Sequence, residues 1–201
     1  MGLAKRKAEP HYTYADAQTW EGPERYELYE GEAVMLAAPS SLHQLVSMEL
    51  ARQIANFLHG KPCRIFPAPF DVRLFATAED SPEDVDTVVE PDLSVVCDPE
   101  KIDRYGCRGA PDLVIEILSP ATRHNDRIRK FELYQRAGVR EYWIADPDMG
   151  VVMVHTLEEG RYHGADAYTR RASVPSQVLE GCVVDLSTVF PAPEEGFPAA
   201  E

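Results

Sequence analysis

The chain has 201 residues, of which 44% are hydrophobic and 9% aromatic, and it carries 20 basic against 34 acidic residues for a formal net charge of -14. That length and composition fit one globular domain and exclude a low-complexity or collagen-like chain, and no window approaches the ~20 apolar residues that a membrane-spanning helix needs. The net acidity, taken alone, argues against a nucleic-acid partner, because phosphate repulsion slows encounter and weakens binding.

Residues 11–20 read as a short helix, with Thr13 as N-cap and Asp16 in capping-box position. RYELYEGEAVMLA reads as a hairpin turning at Glu30-Gly31. A helix opens at Ser40 or Ser41, its apolar positions Val46, Leu50, Ile54 and Phe57 recur at helical spacing, and Gly60 is placed to end it. From Ile65 the pattern becomes strand-like through FPAPFDVRLF, with prolines that favour an edge or a bend. ATAEDSPEDVDTVVE holds six acids and no base and reads as a mobile surface loop. PDLSVVC then reads as a strand, PEKIDRYGCRG as a loop, APDLVIEIL as a second strand, and about 122–137 as a helix stopped by Gly138. REYWIAD and VVMVHTL continue the strands across a turn at 146–150, and a later strand pair is expected within RYHGADAYTR and QVLEGCVVDL. This order gives an α/β (α+β) domain, a mixed central sheet flanked by helices over 1–190, with 191–201 as a disordered tail.

Cys63, Cys97, Cys107 and Cys182 are scattered without a CxxC pair, which suits a reducing compartment better than a disulfide framework. The basic N-terminus leads into no apolar segment of the signal-peptide kind, so a cytoplasmic location is expected. Charge is unevenly spread. Between Lys101 and Arg140 nine Lys or Arg stand against five Asp or Glu, a local +4 that leaves -18 for the remainder. A solvated helix face and a phosphate-facing surface both fit that stretch.

Glu116 sits inside the apolar run LVIEIL, where an ionised carboxylate is costly unless a cation or hydrogen-bond donors meet it. Strand parity puts Asp112, Val114, Glu116 and Leu118 on one face, yet at ~3.3 Å per residue Asp112 and Glu116 lie roughly 13 Å apart and cannot share an ion. Asp92, opening the other apolar strand, can approach Glu116 if the strands are neighbours. Two carboxylates brought together call for a cation or a raised pKa, and hard oxygen ligands suit Mg²⁺ or Mn²⁺. Each also has a plain reading, Asp92 as a turn residue and Glu116 as the structural partner of an arginine. Lys130 is one helical turn from Asp126 and from Tyr134, beside an apolar stripe of Ile128, Phe131 and Tyr134 that would turn it toward the sheet. His43, in the first turn of its helix, fits a hydrogen bond to substrate or a capping, partly buried role. Arg123, Arg127 and Arg129 are the candidate phosphate-binding residues of the basic stretch.

The ordered segments YELYEGEAVML, PSSLHQLVSMEL, FDVRLF, VEPDLSVVCD and GAPDLVIEILSPATRHNDRIRKFELYQRAGVREYWIADP resemble the Uma-two family of bacterial restriction endonucleases, within the PD-(D/E)xK nuclease superfamily, over about residues 12–157. The resemblance implies a restriction-endonuclease-like fold and Mg²⁺-dependent (or Mn²⁺-dependent) hydrolysis of phosphodiester bonds in DNA. Asp92 matches the acid of the PD element and Glu116 that of ExK. Leu118 stands where the superfamily has the lysine of ExK, and Lys130 matches the helix lysine that takes over in this family. On this resemblance Asp92 and Glu116 hold the metal with the carbonyl of Ile117, while Asp126, Tyr134 and Ser119 match positions with supporting roles. A homodimer is the default for cutting both strands. Two other readings stay open: a catalytically inactive nuclease-fold binding module, favoured by the missing ExK lysine, and a metal-dependent hydrolase of a smaller phosphoester.

Overall fold

The computed structural model describes residues 10–119 and 125–191, with the side chains of 125–127 set aside. Thr13 and Asp16 form the expected capping box on α1 (Tyr14–Ala17). β1 (Tyr26–Tyr29) and β2 (Glu32–Met35) make the hairpin, turning at Glu30 and Gly31 with φ of 50° and 83°, the left-handed conformation that tight hairpin turns require. The Ser40 hydroxyl accepts the His43 N–H and starts α2 (Ser41–Leu58). Then come β3 (Arg64–Pro67), β4 (Asp71–Arg73), β5 (Leu93–Val96), β6 (Ile102–Asp103), β7 (Gly106–Arg108) and β8 (Leu113–Ile117). α3 (Asn125–Ala137) ends at Gly138 and leads to β9 (Glu141–Asp146), β10 (Val151–Glu158), β11 (Arg161–Tyr162), β12 (Asp166–Thr169), β13 (Ser173–Pro175) and β14 (Val183–Asp185).

Seven strands form the central sheet in the order β11-β10-β9-β8-β5-β3, with β12 also on β10. β8 and β9 run parallel, with α3 as the crossover that a parallel pair needs; the other pairings are antiparallel. On one face Leu113, Ile115 and Ile117 pack with Val46, Leu50 and Ile54 of α2. On the other, Val114 and Leu118 pack with Leu133 and Tyr134 of α3. The two long helices therefore cover opposite faces, and the period-two alternation of a strand sends Glu116 to the α3 face.

Five expectations need correction. The acidic segment is tied down rather than mobile: Val85, Val88 and Val89 are buried, and bridges join Val88 to Leu28 and Val89 to Val72, so three valines anchor what the charges made look like a free loop. The segment after Pro99 is a small hairpin, with β7 pairing β6 and β4 in a separate sheet. The late strand pair is β13 with β14, while β12 joins β10. Tyr134 is buried and Lys130 turns inward as expected, but Ile128 of the same stripe is 60% exposed; the buried face of α3 runs through Lys130, Leu133 and Tyr134, because Lys130 has buried carboxylates to meet. Finally, Arg64 opposite Val96 is the end pair of the β3–β5 ladder, which brings Cys63 and Cys97 together in a disulfide, whereas Cys107 and Cys182 are free and buried. Among the described residues no helix is long and apolar enough to cross a membrane. The expected first turn of α3 at 122–124 and the tail beyond Pro191 lie outside the described residues.

Candidate active site

Asp92 stands at the entrance of β5, whose ladder with β8 stops at Leu93 opposite Ile115. Beyond that pair the Ile117 N–H has no backbone partner on β5, and it donates to Asp92 Oδ2 at 2.7 Å. The Ile117 carbonyl lies on the same strand edge as its N–H. The first turn of α2 brings His43 Nε2 to 3.1 Å from the same Asp92 oxygen. Burial opposes charge on that imidazole, but its hydrogen bond to Asp92 and the Asp92 charge outweigh burial and raise its pKa. Among the described residues, buried His43 Nδ1 has no hydrogen-bond partner.

Glu116 is 8% exposed. Its Oε1 accepts the Lys130 ammonium at 3.0 Å and the Tyr134 hydroxyl at 2.6 Å, two groups that α3 presents one turn apart on one face. Lys130 Nζ is also 3.0 Å from Glu27 Oε1. Glu27, on β1, is 2% exposed, and it accepts the Glu90 backbone N–H at 3.0 Å and the Tyr29 hydroxyl at 2.5 Å. Burial pushes the Glu116 carboxyl up to about 7; Lys130 opposes the shift, and the charges of Asp92 and Glu27 add to it. Burial works against the Lys130 ammonium, yet Glu116 and Glu27 keep its pKa well above the ordinary lysine value. The Tyr134 phenol is raised by burial and stays a protonated donor.

Asp92, Glu116, Ile117, Lys130 and His43 line one cleft of about 140 Å³. Arg25 and Glu90, bonded through Nε and Oε2 at 2.7 Å, also line it. Oδ2 of Asp92 and Oε1 of Glu116 take the hydrogen bonds, so among the described residues Oδ1 and Oε2 have no protein donor. The carboxylates of Glu27, Asp92 and Glu116 outnumber the single lysine, an excess that a divalent cation would offset. Among the described residues no group of three or more His, Cys, Asp or Glu is set to hold an ion. Two carboxylates and a carbonyl, with water completing the shell, fit the way Mg²⁺ binds and do not fit a structural zinc site.

The other expected residues fall less neatly. Arg129 is bound to Glu32 at 2.7 Å and lies 4.0 Å over the Tyr29 ring, so it braces the hairpin. Arg136 pairs with Glu30 and Arg140 with Asp112, so these arginines of the basic stretch meet the chain's own acids. The side chains of Arg123, Asp126 and Arg127 lie outside the described residues. Sequence reasoning missed Glu27, Tyr29, Arg25 and Glu90. A signal for Glu27 was present, an acid enclosed by Tyr26, Leu28 and Tyr29, the same kind of pattern that exposed Glu116.

The Uma2 family model, described as "Putative restriction endonuclease", matches residues 14–187. Over 111 residues the chain is 31% identical to "Uncharacterized protein slr1290" of Synechocystis sp., a match covering 55% of this chain and 54% of that protein. The chain thus spans about half the length of that curated relative. It is also similar to a crystal structure described as "a putative nuclease belonging to DUF820" from Anabaena variabilis, with a TM-score of 0.69 and 20% identity over 89% of this chain and 97% of that one. That second likeness is one of fold, and it agrees with the expected mixed sheet flanked by helices.

Proposed function

The chain belongs to the Uma2 family, and on that premise we propose that it is a divalent-cation-dependent endonuclease of the PD-(D/E)xK type that hydrolyses phosphodiester bonds of DNA. The observation that carries the reading is the meeting of Asp92 from the start of β5, Glu116 from within β8 and Lys130 from α3 in one cleft. Mg²⁺ or Mn²⁺ held by Asp92, Glu116 and the Ile117 carbonyl would polarise a phosphate oxygen and lower the pKa of bound water. The chain's own groups supply orientation and charge. Ile117 N–H and His43 fix Asp92 through Oδ2, and Tyr134 fixes Glu116 through Oε1. Lys130, kept as a cation by its acidic neighbours, stabilises charge growing on the phosphate oxygens rather than taking a proton. Leu118, at the ExK lysine position, is buried in the α3-face core, so the ammonium reaches the cleft from the helix instead. The same proposal takes 1–190 as one domain acting as a homodimer.

The test is incubation with supercoiled plasmid, a linear duplex and bis(p-nitrophenyl) phosphate, each with Mg²⁺, Mn²⁺ or EDTA, beside Glu116→Gln and Lys130→Met. Cation-dependent nicking that both variants abolish is the expected result. Cleavage of the small ester alone would replace DNA with a smaller phosphoester, a reading favoured by the pairing of Arg129, Arg136 and Arg140 with the chain's own acids. Duplex binding without cleavage would make the fold an inactive binding module.

A further inference from the structure

The cleft network contains one more buried acid, Glu27, for which the proposed chemistry has no use. Lys130 Nζ lies between two carboxylates, 3.0 Å from Glu27 and 3.0 Å from Glu116. The two anchors are not equivalent. Glu116 Oε1 also takes the Tyr134 hydroxyl, and a cation in the cleft would draw on the same carboxylate. Glu27 is fixed at both ends: the Glu90 N–H binds Oε1 and the Tyr29 hydroxyl binds Oε2. It sits on β1, apart from β8, which carries Glu116, and from β5, at whose entrance Asp92 stands. A lysine two residues after the acid on one strand is aimed by the strand itself. A lysine reaching in from a helix on a flexible four-carbon stem is not, and needs an external anchor.

We propose that Glu27 is the positioning residue for Lys130, holding its ammonium in the cleft when Glu116 engages a cation, and so letting a helix-borne lysine serve in place of the one missing at Leu118. Its catalytic consequence rests on the nuclease reading; the position of the ammonium does not. If Glu27 merely braced the hairpin through Glu90 and Tyr29, its charge would be dispensable.

Glu27→Gln keeps the size and an acceptor oxygen for the Glu90 N–H while removing the charge. The first readout needs no catalysis. Lys130 is one of five lysines, and its buried, hydrogen-bonded ammonium should exchange slowly enough to give a ¹H–¹⁵N signal that Lys130→Arg removes. With Mg²⁺ present, Glu27→Gln should abolish that signal. In the second readout Glu27→Gln should lower kcat about 10²-fold, the scale of a reacting group displaced by ~1 Å, with KM little changed. Glu27→Asp, one methylene shorter with its charge kept, should broaden the signal and lower kcat less; it replaces Gln if that variant does not fold. An unchanged ammonium signal in the folded variant overturns the proposal, as does a kcat that Glu27→Gln leaves unchanged. If the wild type cleaves nothing, the nuclease reading falls and the ammonium spectrum still decides the role of Glu27.

Discussion

Replacing Asp92 by Asn and Glu116 by Gln together should abolish the stabilisation of the fold by a divalent cation. Both changes preserve the hydrogen bonds described: an Asn oxygen can still accept the Ile117 N–H, and a Gln oxygen the Lys130 and Tyr134 donors. What is removed is charge. In the cation-free wild type, burial above all, with the charges of Asp92 and Glu27 adding, raises Glu116 to about 7. A carboxyl raised in this way favours the fold most at pH below its unfolded pKa, ~4.5, and loses that contribution as pH rises through about 7. At pH 8 in EDTA the wild type therefore bears the cost of a buried charge, with the repulsion of Asp92 and Glu27 added, that the double variant lacks, and the variant should melt at or above the wild-type temperature. Mg²⁺ at a hundredfold excess over its dissociation constant adds about 2.7 kcal/mol, which at ~2 to 4 °C per kcal/mol for a domain of this size is roughly 5 to 11 °C. Differential scanning calorimetry at pH 8 should show that shift in the wild type and none in the variant. A shift that survives in the variant would remove Asp92 and Glu116 from the cation site, and a cation-free variant melting far below the wild type would refute the charge argument.

Glu141 is wholly buried and accepts the Trp143 indole N–H and the Ser176 hydroxyl at 2.7 Å and the amides of Gln177 and Val178 at 3.0 Å. Glu141→Gln turns an acceptor into a donor against those groups and should cost roughly 3 kcal/mol, seen as a lower urea midpoint at unchanged slope. If duplex DNA binds through the basic stretch between Lys101 and Arg140, Arg123→Ala with Arg127→Ala should flatten the salt dependence of binding by about two units of log–log slope. Arg129→Ala, whose guanidinium is already held by Glu32, should change the slope little; a full unit lost there would mean that the pair opens onto phosphate. Ile128→Lys, at a position 60% exposed, should shift stability by no more than about 0.5 kcal/mol, and a larger loss would restore Ile128 to a packed face.

The parts of the site that could be read from the chain are those governed by strictly local periodicity. The face of Glu116 follows from the alternation of a strand, and it turns toward α3 because Leu113, Ile115 and Ile117 have the stronger claim on the α2 side. The orientation of α3 does not follow in the same way. Its apolar residues Ile128, Phe131 and Tyr134 mark a stripe that turns Lys130 toward the sheet, and Tyr134 and Lys130 are indeed buried, but the helix is rotated far enough to leave Ile128 exposed. That rotation makes sense only once Glu116 and Glu27 are both known to lie beneath it, and Glu27 is 103 residues away in sequence. The Cys63–Cys97 bridge is hidden for the same reason: it is a consequence of the β3–β5 register, a long-range pairing with no CxxC signature. Acids enclosed by large apolar residues were the one local clue that reached across these distances. The criterion that singles out Glu116 in LVIEIL selects Glu27 in YELY as well, and Lys130 is where the two acids' need for a counter-charge is met.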